Sequence, residues 1–141
     1  MDYNYKQTNL SKAIFGGLFA GLIACAAAEI FNIIFRLSTG FSSATFINVE
    51  TLIFAPVIFC VIAGILYFIL TKFVKKGRLI YIVLFVLITV AGVVMGFMRH
   101  YTSSGPAFQK ALVLHTGIVL IIGCTAAFVQ PYVTKHDVLN E

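Results

Sequence analysis

The stretch Gly16-Gly17-Leu18-Phe19-Ala20-Gly21-Leu22-Ile23-Ala24-Cys25-Ala26-Ala27-Ala28-Glu29-Ile30-Phe31-Asn32-Ile33-Ile34-Phe35-Arg36 decides the fold. It is apolar over a length that crosses a bilayer, yet it contains a carboxylate. At about 100° per residue, Cys25, Glu29, Asn32 and Arg36 fall on one stripe of a helix. Gly17, Gly21, Ala24 and Ala28 form a second stripe beside it, at the spacing that lets helix backbones approach closely in lipid. A charged carboxylate inside a membrane helix costs roughly 2.5–3.5 kcal/mol or more, so Glu29 is expected to face protein or a water-filled cavity and to mark a functional site.

Composition agrees with a membrane setting. The 141 residues are 60% hydrophobic and only 11% charged, with a mean hydropathy of +1.00. Soluble domains carry about 25% charged residues, and this chain has too little polar surface to be one. The length allows one compact bundle and no separate soluble domain. The net charge of +5 comes from Lys and Arg at the ends of apolar runs. No basic stretch is interleaved with stacking aromatics, which argues against nucleic acid as a partner. Cys25, Cys60 and Cys124 lie in three different runs without a CxxC spacing, and are expected to be small apolar fillers with no structural disulfide.

Working outward, residues 13–36, 50–71, 79–99 and 107–130 read as four transmembrane helices, flanked by polar tails 1–12 and 131–141. The start of the first run, with Leu22-Ile23-Ala24-Cys25, imitates a lipoprotein signal, but the apolar run continues to Phe35, so no cleavage is expected. Asn48 is a candidate N-cap, with Glu50 in the first turn of the second helix. Pro56 predicts a kink in that helix. Gly77 suits a helix end within the Lys72, Lys75, Lys76 and Arg78 connection. In the third run, Gly92 and Gly96 form a second small-residue packing pair. Pro106 suits a first helical turn, and Pro131 predicts the end of the fourth helix. The expected fold is therefore an all-α integral membrane protein, an antiparallel bundle of four transmembrane helices.

Charge sets the expected orientation. Lys6, Lys12, Lys72, Lys75, Lys76, Arg78 and Lys135 fall on the side of the termini, against Arg36, Arg99 and Lys110 on the other. The bias predicts cytoplasmic N- and C-termini. Counting at 1.5 Å per residue from the outer boundary puts Asn32 about 6 Å, His115 about 7 Å and Glu29 about 10 Å deep. Pro56 lies at a similar level. Glu29, Asn32, His115, Thr116, Arg36 and Arg99 are thus the candidate residues of an outer-leaflet polar pocket binding a small molecule, lipid, proton or cation. In the inner leaflet only Tyr67, Thr89, Thr125 and Gln130 stand out from Leu, Ile, Val and Phe.

Catalysis is poorly supported. Ser42, Ser43, Ser103 and Ser104 have no nucleophile motif around them, and no cluster has the composition of a zinc site. Haem ligation would need His100 and His115 to face each other across helices. No cofactor, metal or catalytic residue is expected. The competing expectation is a structural or accessory subunit, in which the Gly17/Gly21 and Gly92/Gly96 stripes pack within a homo-oligomer or against a larger membrane protein, and Glu29 fixes helix register.

Four helices with one carboxylate in the first resemble the outline of the small multidrug resistance exporters. Those proteins place the glutamate near the N-terminus in an Ala-Trp-containing motif. Here the context is Ala28-Glu29-Ile30, late in the helix, and the chain has no Trp. Gly17-x-x-x-Gly21, Ala28, Asn32 and Phe35, followed by Pro56, are similar to a pattern in uncharacterised four-helix bacterial inner-membrane proteins. That resemblance implies a bacterial inner membrane and no particular activity.

Overall fold

The computed structural model describes residues 8–42, 49–100 and 105–135, with the backbone alone at 49, 99 and 100. Four helices, α1 (Asn9–Thr39), α2 (Val49–Phe73), α3 (Gly77–His100) and α4 (Pro106–Cys124), make the bundle. A π turn (Thr125–Val129) and a short α5 (Gln130–Lys135) follow without a break. Four spans, the last running from Pro106 to Lys135, are long and apolar enough to cross a membrane. Asn48, Ser43, Ser103 and Ser104 lie outside the described residues, as do the side chains of Arg99 and His100.

The ends of α1 follow from local chemistry. Thr8 caps its start, accepting from the Ser11 N–H at 3.2 Å. Gly40, at φ 64°, ends it in the left-handed conformation with its N–H on the Arg36 carbonyl. That turn brings Phe41 back as a buried side chain, edge-on to Phe35 with ring centroids 6.4 Å apart. The helix therefore takes in Ser38 and Thr39, whose hydroxyls donate to the Phe35 carbonyl. Lys110, from the start of α4, donates to the Thr39 carbonyl at 2.7 Å, placing a cation at the negative end of the α1 dipole.

Between α2 and α3 only three residues intervene, 74–76. Gly77 begins α3 there because a Cβ would strike the Leu70 carbonyl. Each long helix has two main neighbours: α1 packs on α2 and α4, and α3 packs on α4 and α2. Helix α2 runs unbroken through Pro56, which is buried.

Small residues set how closely the helices approach. The inward stripe of α1 is Ala13, Gly16, Gly17, Ala20, Gly21, Ala24 and Ala28, ending in buried Asn32. A Cβ on Gly17 would meet the Cys60 carbonyl and the Val61 Cα, and one on Gly21 would come 2.8 Å from the Val57 Cα. Backbone thus lies against backbone between α1 and α2. On α3, Gly92 faces Val119 and Gly96 faces His115, while Gly123 of α4 receives Thr89. The outward faces carry exposed Leu22, Ile34, Phe54, Ile62, Leu87 and Met95, among others. Such a surface suits acyl chains, where close packing of small residues replaces the hydrophobic drive between helices.

Candidate functional site

On α1 the i, i+3 and i+4 positions stack on one face, and three polar side chains there form a chain. The Arg36 Nε donates to the Asn32 Oδ1 at 2.7 Å. The Asn32 Nδ2 donates to the Glu29 Oε2 at 3.5 Å, the long limit of a hydrogen bond. Asn32 is only 2% exposed, and its amide is oriented with oxygen to the guanidinium and nitrogen to the carboxylate. The guanidinium also lies over the Phe41 ring, 5.9 Å from its centroid. The loop that closes α1 therefore helps to hold the charged end of the chain.

The other oxygen of the carboxylate, Glu29 Oε1, is buried and has no hydrogen-bond partner, and the same is true of Thr116 Oγ1 on α4. An ionised carboxylate has about four lone-pair sites to fill. Here a single long bond fills one. A proton on the carboxyl group, or a bound cation, would supply what the surrounding protein leaves out.

The fourth helix presents its polar residues differently from what depth alone suggests. The His115 ring edge lies against Gly96: a Cβ there would be 2.8 Å from Cδ2 and 3.4 Å from Nε2. Gly117 instead receives the Phe31 ring, which makes the direct contact between α1 and α4. Among the described residues no hydrogen bond or ion pair joins Glu29 to His115 or Thr116. Pro56 sits near the α1–α2 contact, its carbonyl 3.3 Å from where a Gly21 Cβ would lie. No group of three His, Cys, Asp or Glu among the described residues could hold a metal.

A second polar centre lies in the opposite half of the bundle, and Pro131 causes it. The fourth helix does not end at that proline; a π turn carries it through. The Gln130 N–H reaches back five residues to the Thr125 carbonyl. The Ala126 carbonyl then has no donor on its own helix: residue 130 is committed, and residue 131 is a proline without an N–H. Tyr81, from α3, fills the vacancy with its hydroxyl, donating to Ala126 at 2.9 Å. Burying that carbonyl without a partner would cost about 1–3 kcal/mol.

Gln130, 0% exposed, completes the centre. Its Oε1 accepts from the Gly64 N–H at 2.7 Å, while Nε2 donates to the Cys60 carbonyl at 3.2 Å and to the Tyr81 hydroxyl at 3.1 Å. This orientation of the amide pairs every donor with an acceptor, whereas the reverse sets oxygen against oxygen. The amide reaches the α2 backbone because Gly64 has no side chain, and a Cβ there would strike it. Sequence reading noted Gln130 only as an inner-leaflet polar residue and passed over Tyr81. The available signal was a proline inside the continuing run Gln130-Pro131-Tyr132-Val133.

No family model matches the chain, and no curated protein and no solved structure matches it.

Proposed function

We propose that this is a proton- or cation-binding membrane protein whose working group is the Glu29 carboxyl, with Asn32 and Arg36 orienting it. One observation carries the reading: Glu29 Oε1 is buried inside an apolar span and unpartnered. Buried polar groups are nearly always hydrogen-bonded, and an exception inside a membrane span needs a reason. Transient occupation by a proton or a small cation supplies one. Thr116, the other orphaned oxygen, and His115 belong to α4 and are the residues through which a ligand would couple the helices. The surplus of Lys and Arg on the side of the termini supports cytoplasmic N- and C-termini, and the resemblance noted above supports a bacterial inner membrane.

The test is chemical. Dicyclohexylcarbodiimide reacts with protonated carboxyl groups in apolar surroundings. It should modify Glu29 in the intact protein, as located by mass spectrometry of peptides. Glu29→Gln should remove that adduct and any thermal stabilisation by protons or monovalent cations, while the helical spectrum stays unchanged. An unlabelled Glu29, together with a Glu29→Gln variant that responds to pH and cations like the parent, refutes the reading.

A further inference from the structure

Arg36 decides which way the buried Asn32 amide faces. A guanidinium only donates, so the atom that takes its Nε at 2.7 Å is the amide oxygen, and the Nδ2 of Asn32 is left to meet the Glu29 carboxylate. Among the described residues, the polar group that touches the carboxylate is therefore an N–H and not an oxygen. The α1 carbonyls on either side are engaged in the helix itself. Ile30 and Ile33, exposed beside Glu29, have no oxygen to offer.

A proton and a metal ion make different demands on such a place. A proton needs one oxygen. It bonds to Oε1, the buried and unpartnered atom, leaves Oε2 to the Asn32 amide, and turns the carboxylate into a neutral acid. It comes from water and returns there, and no other bond breaks. A hard metal ion needs a shell of oxygens in place of its water, about 6–8 for calcium. The Glu29 oxygens fall well short of that shell, even with the hydroxyl of Thr116, the other buried oxygen without a partner. The amide that would be next in line presents its N–H side. We propose that the ligand of Glu29 is a proton, and that Asn32, held by Arg36, excludes metal ions from the site. This rests on the reading of Glu29 as the working group and names its ligand. Charge does not make the choice, because a proton and a sodium ion bring the same charge to the carboxylate. The orientation of one buried amide does.

The rate at which dicyclohexylcarbodiimide labels Glu29 reads the selectivity directly, since the reagent needs the acid form. In the purified full chain the rate should fall as pH rises, roughly tenfold per pH unit once the group is mostly ionised. It should stay the same when sodium, lithium or calcium chloride replaces choline chloride at equal ionic strength. The other titratable or charged side chains at this end of the helices packed there are Cys25 and Arg36 of α1, Glu50 of α2, and His115 and Lys110 of α4. Locating the adduct on Glu29 by mass spectrometry keeps them out of the measurement, and His115→Gln should retain the pH profile. Asn32→Asp puts oxygens where the N–H stood, and sodium should then slow the labelling several-fold, an effect that a merely structural amide would not produce. Slowing by any of these metal ions in the parent overturns the proposal while leaving Glu29 as the working group. So does a folded, labelled Asn32→Asp variant that ignores sodium, or a pH profile that disappears with His115. Absence of labelling at every pH refutes the Glu29 reading itself, and the proton with it.

Discussion

Asn32 has an unusual burden for a single side chain. It is almost wholly buried, and it stands between a carboxylate and a guanidinium that sit seven residues apart on one helix. Replacing it by leucine keeps the branched shape and removes both hydrogen bonds. Asn32→Leu should therefore lower stability by about 1–2 kcal/mol, the range for polar contacts in membranes, and thermal unfolding in detergent would register it. Removing the buried carboxylate as well should recover part of the loss, because Glu29 is then no longer left as a carboxylate stripped of its donor. An unaltered Tm in Asn32→Leu would show that neither charged neighbour depends on the amide.

The contact between Asn32 and its neighbours was open to sequence reading because all three residues belong to one helix, where spacing fixes direction. His115 was a different problem. Counting residues gives the depth of a side chain, but its direction around the helix depends on how neighbouring helices are rotated. Here the Phe31 ring entering the gap at Gly117 accompanies a His115 ring lying against Gly96 of α3. Such fits depend on shapes contributed by three helices, and no single stretch of sequence contains them.

At the scale of elements, the end of the fourth span shows the same limit. A proline in an apolar run is read as a stop, since it removes a donor and crowds the preceding turn. Whether the helix can continue depends on a partner for the orphaned carbonyl, and that partner, Tyr81, lies 45 residues from Ala126. The dependence can be measured. Tyr81→Phe leaves the Ala126 carbonyl bare and should cost about 1–3 kcal/mol. In a Pro131→Ala background the residue regains an N–H that can serve the carbonyl locally, so the same substitution should cost less. A double-mutant cycle should show coupling of at least about 0.5 kcal/mol. Strict additivity would mean that the tyrosine and the proline are unrelated.

For the whole molecule, the four spans and their short connections were legible, because apolar runs of this length have few other ways to fold. The side of the membrane on which each connection lies is an expectation that labelling can test. In a background with Cys25, Cys60 and Cys124 replaced by alanine, a cysteine at position 76 should resist a membrane-impermeant maleimide in intact cells. One at position 43 or 103 should react. Labelling of position 76 from outside would invert the topology. Purification from native membranes would show whether the chain works alone, as a homo-oligomer or with a larger partner.

The inward stripe of α1 consists of alanine and glycine from Ala13 to Ala28, and these residues have no rotamers to lose. Burying a leucine or methionine at a helix contact gives up conformational freedom, from about 0.5 to 2 kcal/mol per side chain. Two spans meeting through α1 and α2 avoid most of that loss. Within lipid, where water provides little push between helices, the saving is large relative to the few favourable contacts available. The α1–α2 hairpin can therefore close with little to immobilise on the α1 side, leaving bulkier buried side chains of α3 and α4, such as Tyr81, Phe85 and Leu114, to be fixed against that surface.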